Sequence, residues 1–317
     1  MVGKYEIEVY NNSAHYFLTV KRNITIIQGF SATGKTELIR LIGEYERYGD
    51  SSGITVKCDI DCHVIYGGSN WELEIGLIQG GIIFIDENAS FVKSKRFAEV
   101  VRESDNYYVI VTRDDLPELP YSVEEIYGLR DDSDKQKYKM FHKVYNEMYK
   151  IYNLELNDSD FEKVITEDSN SGYALFSYIY GDKCFSSGGK SKVYTSIINE
   201  QQPMLVIVDG AAFGSEMSKI MRYIKYKNVK CILYAPESFE FIILSSDIVD
   251  VDKTVLEETY NYAESSEYMS WEQFYTDYLI HCAEGTVYKY SKKKLNPAYL
   301  TEGALKKIKS QMPAEIL

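Results

Sequence analysis

The chain has 317 residues, of which 45% are hydrophobic, and it carries a formal net charge of −13 at pH 7. This length predicts one large or two ordinary domains, and the acidic balance argues against a broad basic surface for nucleic acid. Five scattered cysteines do not resemble a disulfide framework, and no apolar run is long enough to cross a membrane. We therefore expect a cytoplasmic protein that has no membrane partner.

The first motif along the chain predicts a phosphate-binding loop. The segment IIQGFSATGKTELIRLI, residues 26–42, places Gly-x-x-x-x-Gly-Lys-Thr between a β-branched run and a helix-like run. In such a loop backbone N–H groups surround phosphate oxygens, the lysine reaches the β- and γ-phosphates, and the threonine hydroxyl contacts Mg²⁺. The expected cofactors are ATP and Mg²⁺, with GTP as an open alternative. The expected nucleotide-binding residues are Gly29, Phe30, Ser31, Ala32, Thr33, Gly34, Lys35 and Thr36.

Two later strand-like segments supply the rest of the expected ATPase site. GIIFIDENAS is an apolar run that ends in Asp86 and Glu87. Asp86 is expected to hold Mg²⁺ together with Thr36, and Glu87 is the candidate catalytic residue that orients or deprotonates the attacking water. NYYVIVTRDD ends in Thr112 and Arg113. This end resembles the place where P-loop NTPases carry a γ-phosphate-sensing residue, so Thr112 is a further candidate nucleotide contact.

The spacing between these motifs limits the kind of ATPase. Between Lys35 and Asp86 there is room for one strand and a hairpin, and none for a large helical insertion. Residues 1–130 are therefore expected to form a compact P-loop NTPase domain. Within it, CDIDCH offers possible zinc ligands, but no second Cys/His pair stands at structural-zinc spacing. The alternation around CDIDCH instead predicts a strand.

Residues 131–157 are predicted to be a helical connector, with a helix from Lys135 to Tyr152. The segment contains neither Pro nor Gly, and its apolar residues recur at helical spacing. These residues are Met140, Phe141, Val144, Met148 and Ile151.

The second half alternates four strand-like and helix-like segments, which predicts a parallel α/β sheet. The first strand ends in Glu167 and the third ends in Asp209, at the strand ends where α/β sheets place ligands. Residues 158–250 resemble the TOPRIM domain of topoisomerases, bacterial primases and overcoming-lysogenization-defect (OLD) nucleases. In that domain a Glu ends the first strand, an Asp-x-Asp ends the third, and together they hold Mg²⁺ for phosphodiester chemistry. The resemblance implies that Glu167 and Asp209 are catalytic metal ligands.

The chain departs from the TOPRIM pattern at one position. The second Asp of the pattern falls at Ala211. Its candidate replacements are Glu216, Glu237 and Glu240, and Glu240 is taken as the third metal ligand. Lys190, in the glycine turn SSGGKSK, is the candidate catalytic lysine.

The fold class implied by these resemblances is α/β. A compact N-terminal P-loop NTPase core is followed by a TOPRIM-like parallel α/β domain and by a helical C-terminal cap, residues 251–317. Such a fusion resembles OLD-type nucleases, which are commonly tied to anti-phage defence or mobile elements. It implies an ATPase whose nucleotide state controls a metal-dependent nuclease acting on DNA or RNA. Nucleic acid is the expected partner, and the basic run Lys292–Lys294 is a candidate contact.

Two alternatives remain open at this stage. In the first alternative, the protein is a nucleotide-controlled regulatory or DNA-binding protein whose TOPRIM-like domain is an inactive scaffold. In the other alternative it is a compact ABC-like ATPase subunit of a larger assembly. For the latter, residues 185–210 resemble an ABC signature turn, helix and metal strand, although this strand ends in Asp-Gly without a catalytic Glu. Both a homo-oligomer and a partner subunit remain possible assemblies.

Overall fold

The structure, a computed structural model, describes residues 1–29, 33–131, 143–154, 156 and 160–317. The chain is a mixed α/β protein that contains a large, mostly parallel sheet and a second, smaller parallel sheet. It divides into two compact units, residues 1–152 with 260–270, and residues 153–259 with 271–317. Within the described ranges, no helix is both long and apolar enough to span a membrane.

The described part of the first unit forms a nine-stranded sheet in the order β4-β1-β2-β9-β8-β3-β7-β6-β5. Neighbours from β8 through β5 are all parallel, whereas β1 pairs antiparallel with β2 and β4, and β8 with β9. The strands are β1 (Tyr5–Tyr10), β2 (Ala14–Val20), β3 (Ile24–Ile27), β4 (Thr55–Lys57), β5 (Cys62–Ile65), β6 (Ile82–Ile85), β7 (Tyr107–Val111), β8 (Ile126–Asp131) and β9 (Val144–Lys150).

The central strands of this sheet are continuous apolar runs because both of their faces are covered. Every residue of β3, β6 and β7 is buried, as expected for parallel strands inside an α/β sheet. The helices of the unit are α1 (Lys35–Tyr48), α2 (Trp71–Gly76) and α3 (Lys95–Glu103). The apolar positions of α1, namely Leu38, Ile39, Leu41 and Ile42, are buried, and the prediction that a strand precedes and a helix follows the motif is confirmed.

The predicted connector helix is wrong over Val144–Lys150, which form strand β9. β9 pairs antiparallel with β8 and parallel with β2, so it belongs to the large sheet. Val144, assigned to an apolar helix face, is 41% exposed. One ladder partner of β9, strand β2, is distant in sequence, and strand pairing on both sides outweighs the local helical periodicity. The part of the prediction that falls on residues 132–142 lies outside the described residues.

The second unit contains a four-stranded parallel sheet in the order β11-β10-β12-β13, which confirms the predicted alternation of strands and helices. Its strands are β10 (Lys163–Thr166), β11 (Cys184–Ser186), β12 (Met204–Ile207) and β13 (Cys231–Tyr234). Its helices are α4 (Ser171–Tyr180), α5 (Lys190–Asn199), α6 (Gly214–Lys227), α7 (Phe239–Leu244), α8 (Lys253–Glu257), α9 (Trp271–Ala283) and α10 (Glu302–Lys309).

Candidate functional site

The described residues of the candidate phosphate loop, residues 29 and 33–36, have glycines at positions where the backbone favours glycine. Gly29 has φ +137° and Gly34 has φ +82°, a region that other residues rarely adopt. A Cβ on Gly34 would lie 2.8 Å from the Tyr16 hydroxyl oxygen, and this hydroxyl donates a hydrogen bond to the Gly34 carbonyl at 2.9 Å. Tyr16, on strand β2, therefore holds the C-terminal end of the candidate phosphate loop in place. Phe30, Ser31 and Ala32 lie outside the described residues.

Lys35 begins helix α1 and is buried. Its Nζ donates hydrogen bonds to the Gly29 carbonyl and to Thr33 Oγ1, each at 2.9 Å. Burial lowers the pKa of Lys35. The negative charge of Glu87 raises this pKa, and the positive charge of Arg113 lowers it further. The ammonium group thus stands at a helix N-terminus, where a bound anion is stabilised. Thr36, the next residue, is exposed.

The strand order brings the other candidate ATPase residues to the same edge of the sheet. β7 lies between β3 and β6, and the backbone N–H of Thr112 donates to the Ile27 carbonyl at 3.1 Å. Thr112 therefore stands beside the end of β3, where the candidate phosphate loop begins. Asp86 and Glu87 follow β6, the next parallel neighbour of β7.

These side chains are engaged with one another or with local backbone. Thr112 is buried, and its hydroxyl accepts from the Asp114 N–H at 3.0 Å. Asp86 Oδ2 accepts from Asn88 Nδ2 at 2.9 Å. Glu87 forms an ion pair with Arg113. The sequence singled out Glu87, but it gave no sign that Arg113 would be the partner of its carboxylate.

In the second unit, adjacent parallel strands place Glu167 and Asp209 beside each other. Both residues are half-buried, and Glu167 Oε2 accepts a hydrogen bond from the backbone N–H of Asp209 at 3.1 Å. Desolvation, followed by the charge of Glu272, raises the pKa of Glu167 to about 7. Desolvation, the charge of Glu272 and the charge of Glu167 likewise raise the pKa of Asp209. Both carboxyl groups therefore resist ionisation in the absence of a cation.

The position of Asp209 depends on the glycine that follows it. Asp209 Oδ1 accepts from the Phe239 N–H at 2.9 Å. A Cβ on Gly210 would lie 2.6 Å from the Ala235 carbonyl oxygen and 2.7 Å from that of Pro236. Since both contacts are backbone atoms, no larger residue fits here without a shift of the chain. The Asp-Gly sequence at the end of β12 is thus a packing requirement of this edge.

The position at which the TOPRIM pattern would require a second aspartate carries no carboxylate in this chain. Ala211 is buried, and its N–H donates to the Glu237 carbonyl at 2.9 Å. Among the proposed replacements, Glu216 is buried with Lys219 Nζ 2.5 Å from its Oε2. Glu240 is also buried, and its Oε1 accepts from the Tyr290 hydroxyl at 2.8 Å. The charge of Glu240 contributes to the raised pKa of Asp209. Of the proposed replacements, Glu240 is therefore the one that acts on the Glu167–Asp209 pair.

Lys190 and Asp168 have different places in this unit. Lys190 Nζ donates to the Ala212 carbonyl at 3.2 Å. Burial lowers the pKa of Lys190, and Glu167 acts in the opposite direction, so the lysine lies close to the candidate catalytic carboxylate. Asp168 instead accepts from the backbone N–H groups of Asn170 and Gly172 at 2.9 and 2.7 Å. It therefore stabilises the start of helix α4.

The described residues contain no group of three or more His, Cys, Asp or Glu side chains already arranged to hold a metal ion. Glu167, Asp209, Glu240 and Glu272 form an acidic cluster, since the charges of the other three all raise the pKa of Asp209. A lysine lies beside it, because Lys292 Nζ is 2.5 Å from Glu272 Oε1. Sequence reasoning took Lys292 only as a nucleic-acid contact, and it missed Glu272. Glu272 stands in an ordinary amphipathic helix, SWEQFY, and no local signal marks it.

The ABC-like interpretation of residues 185–210 does not fit the topology of the sheets. That interpretation requires β12 to carry the metal-binding acid in the same sheet as β3, the strand that precedes the candidate phosphate loop. β12 instead lies in the four-stranded sheet, between β10 and β13.

A scan against models of protein families finds no match for the chain, and a search of curated proteins finds none. The functional argument therefore depends on the geometry of the two sites.

Proposed function

We propose that the first unit binds and hydrolyses Mg²⁺-ATP. The observation that carries this proposal is the strand order β8-β3-β7-β6-β5. It sets the phosphate-loop lysine, a polar residue on the neighbouring strand, and an Asp-Glu pair on the next strand along one sheet edge. A lysine at the phosphates, an acid for the metal and a group that positions water are the components of P-loop phosphoryl transfer.

Each residue of this edge has a defined task in the proposal. Lys35 exchanges the Gly29 carbonyl and Thr33 Oγ1 for β- and γ-phosphate oxygens. Thr36, whose side chain is exposed at the start of α1, and Asp86 hold the ion. The ion neutralises charge on the phosphates. Glu87 receives the proton of the attacking water, and Arg113 sets the direction of its carboxylate through their ion pair.

For the second unit we propose metal-dependent cleavage of phosphodiester bonds, controlled by the nucleotide state of the first. Support comes from Glu167 and Asp209, which stand at the C-terminal edge of a parallel sheet with raised pKa values. Carboxylate oxygens are the ligands that Mg²⁺ prefers, and Glu240 adds a third. A divalent ion held by these carboxylates would supply an activated water and neutralise developing charge. Lys190, next to Glu167, stabilises negative charge on the phosphate that is attacked.

One observation favours a second candidate function, in which this unit is a catalytically inactive scaffold. Ala211 leaves the strand end without its second aspartate, and Lys292 already supplies a positive charge inside the cluster. In that case the nucleotide state of the first unit would control binding to nucleic acid alone.

Cleavage by the purified chain distinguishes the two candidates. Labelled single- and double-stranded DNA and RNA are incubated with the protein in Mg²⁺ or Mn²⁺, with and without ATP. The nuclease proposal predicts metal-dependent products that disappear in Asp209→Asn, whereas Asp277→Asn, an exposed acid of the same unit, leaves cleavage intact. Metal- and ATP-responsive binding without products in the parent protein would establish the scaffold.

A further inference from the structure

The topology of the four-stranded sheet places helices α5 and α6 on the same face. In the strand order β11-β10-β12-β13, the connections from β11 to β12 and from β12 to β13 run in the same direction across the sheet. Right-handed crossovers therefore put α5 and α6 on one face, and α4, whose connection runs the opposite way, on the other. The two helices pack side by side, since the ring centroids of Tyr194 on α5 and Tyr223 on α6 lie 5.9 Å apart in an edge-to-face contact.

Helices α5 and α6 are basic, although the whole chain carries a formal charge of −13. They contain six lysine or arginine residues and one acid, Glu216, whereas α4 contains no charged residue. Glu216 is buried and forms an ion pair with Lys219. Glu200, which follows α5, accepts hydrogen bonds from the backbone N–H groups of Gln201 and Gln202 at 2.8 and 3.0 Å. The surface of the two helices therefore favours a negatively charged partner.

One stripe of α6 combines basic and aromatic side chains. Its members stand at positions i, i+3, i+4 and i+7, which lie on the same side of a helix; they are Lys219, Arg222, Tyr223 and Tyr226. Arg222 is exposed, and Tyr226 is 83% exposed. Lys219 Nζ lies 5.5 Å from the ring centroid of Tyr194. Positive charge and ring faces thus alternate along this side of α6.

The stripe matches the chemistry of a single nucleic-acid strand. Phosphates alone would account for the basic side chains, but they would not use the exposed ring of Tyr226. Proteins that bind single strands without regard to sequence place basic groups along the backbone and stack bases on aromatic side chains. Two further exposed lysines, Lys225 and Lys227, flank Tyr226, and Lys227 Nζ lies 5.2 Å from the centroid of its ring.

We propose that the stripe on α6 binds single-stranded nucleic acid, with Arg222 and the lysines on the phosphates and Tyr226 stacked on a base. This inference rests on the proposed function of the second unit and assigns its substrate a surface. Helix α6 begins at Gly214, five residues after Asp209. At a rise of 1.5 Å per residue, Lys219 lies about 8 Å along the helix from that start. A strand bound on the stripe therefore lies close to the sheet edge that carries Asp209.

The test measures binding of fluorescein-labelled oligo-dT and oligo-U to the full chain by anisotropy, in EDTA, so that no metal-dependent cleavage occurs. Tyr226→Ala is expected to weaken binding by at least about fivefold, the lower end of the contribution of base stacking, whereas Tyr226→Phe should bind as the parent does. Arg222→Gln should weaken binding several-fold. It should also reduce by about 0.7 the slope with which log affinity falls with log salt concentration.

The matched controls change exposed residues on other helices of the second unit. They are Tyr178→Ala on α4, where the tyrosine is 59% exposed, and Lys306→Gln on α10. Both should bind the oligonucleotides as the parent does. A loss in Tyr178→Ala equal to that in Tyr226→Ala would overturn the assignment to α6.

The remaining outcomes also decide the inference. A folded parent that binds neither oligonucleotide overturns it, as does tighter binding of a duplex than of a single strand. Parental affinity in Tyr226→Ala overturns the stacked base, and an unchanged salt slope in Arg222→Gln overturns the phosphate contact. Metal-dependent cleavage with a parental KM in both variants would remove this surface and leave the nuclease proposal standing. Binding with the expected pattern, but without cleavage in Mg²⁺ or Mn²⁺, would support the surface and contradict the nuclease.

Discussion

Glu167 Oε2 accepts a hydrogen bond from the backbone N–H of Asp209 at 3.1 Å. The two residues follow adjacent parallel strands, in which Thr166 is in register with Ile207. The sheet itself therefore holds two carboxylates side by side. Two acids in such a position cannot both ionise cheaply unless a cation is present, and this property of the pair gives the first prediction.

The metal-free protein should lose stability as the pH rises from about 4.5 to about 7. The unfolded chain releases the Glu167 proton near the ordinary pKa of 4.5, whereas the folded chain holds it until about 7. Over that interval the folded state binds more protons, so the free energy of unfolding falls with rising pH. For Glu167 alone the loss is on the order of 3 kcal/mol, and the raised pKa values of Asp209 and Glu240 act in the same direction.

Urea unfolding in EDTA across this pH range measures the effect. Glu167→Gln should flatten the dependence on pH, whereas Glu162→Gln, an exposed residue just before β10, should leave it unchanged. Stability that rises through the interval, or a slope that Glu167→Gln does not alter, would contradict the proposed state of the pair.

Gly210→Ala should destabilise the second unit by about 1–3 kcal/mol, the usual cost of overpacking. The added Cβ would meet the carbonyl oxygens of Ala235 and Pro236, and relief of these contacts would displace Asp209. Gly303→Ala is the matched control, because its Cβ would meet nothing within 4 Å and the residue lies in helix α10. The control should be neutral or stabilising by up to about 1 kcal/mol. Equal melting temperatures for the two variants would show that the Asp209 turn is not constrained by packing.

The buried parallel strands were predictable from the sequence, because such strands are continuous apolar runs, whereas β1 and β2, whose buried and less buried residues alternate, were not predicted. β3, β6 and β7 are entirely buried, and their polar ends mark the candidate ATPase residues directly. β9 was not predictable in this way. Its pairing with β2 is non-local, and its apolar residues also satisfy helical spacing.

The acidic cluster was predictable only in part. Glu167 and Asp209 end apolar strands, and this is a local signal. Glu272 and Tyr290 reach the cluster from the C-terminal segment through tertiary packing, and neither residue type is unusual where it stands. The ion pair between Glu87 and Arg113 was hidden for the same reason, since two strand ends bring it together.

Lys35→Ala should weaken ATP binding by about ten- to a hundredfold, because one charge-assisted contact to phosphate contributes on the order of 1.5–3 kcal/mol. Titration calorimetry with Mg²⁺-ATP measures the loss. Lys95→Ala, an exposed lysine on α3 of the same unit, should bind as the parent does. If Lys35→Ala retains the parental affinity, the loop does not hold the phosphates.

Glu87→Gln tests the central claim, that the first unit hydrolyses ATP at the edge shared by Lys35, Thr112, Asp86 and Glu87. The measurement is steady-state phosphate release by the purified chain, made alongside nucleotide affinity. We predict that Glu87→Gln keeps Mg²⁺-ATP affinity and slows turnover by roughly 10²–10⁴, the usual contribution of a general base. Glu118→Gln, which changes an exposed residue of the same unit, should turn over at the parental rate. Parental turnover in Glu87→Gln, or no ATP-dependent phosphate release by the folded parent, would contradict the account.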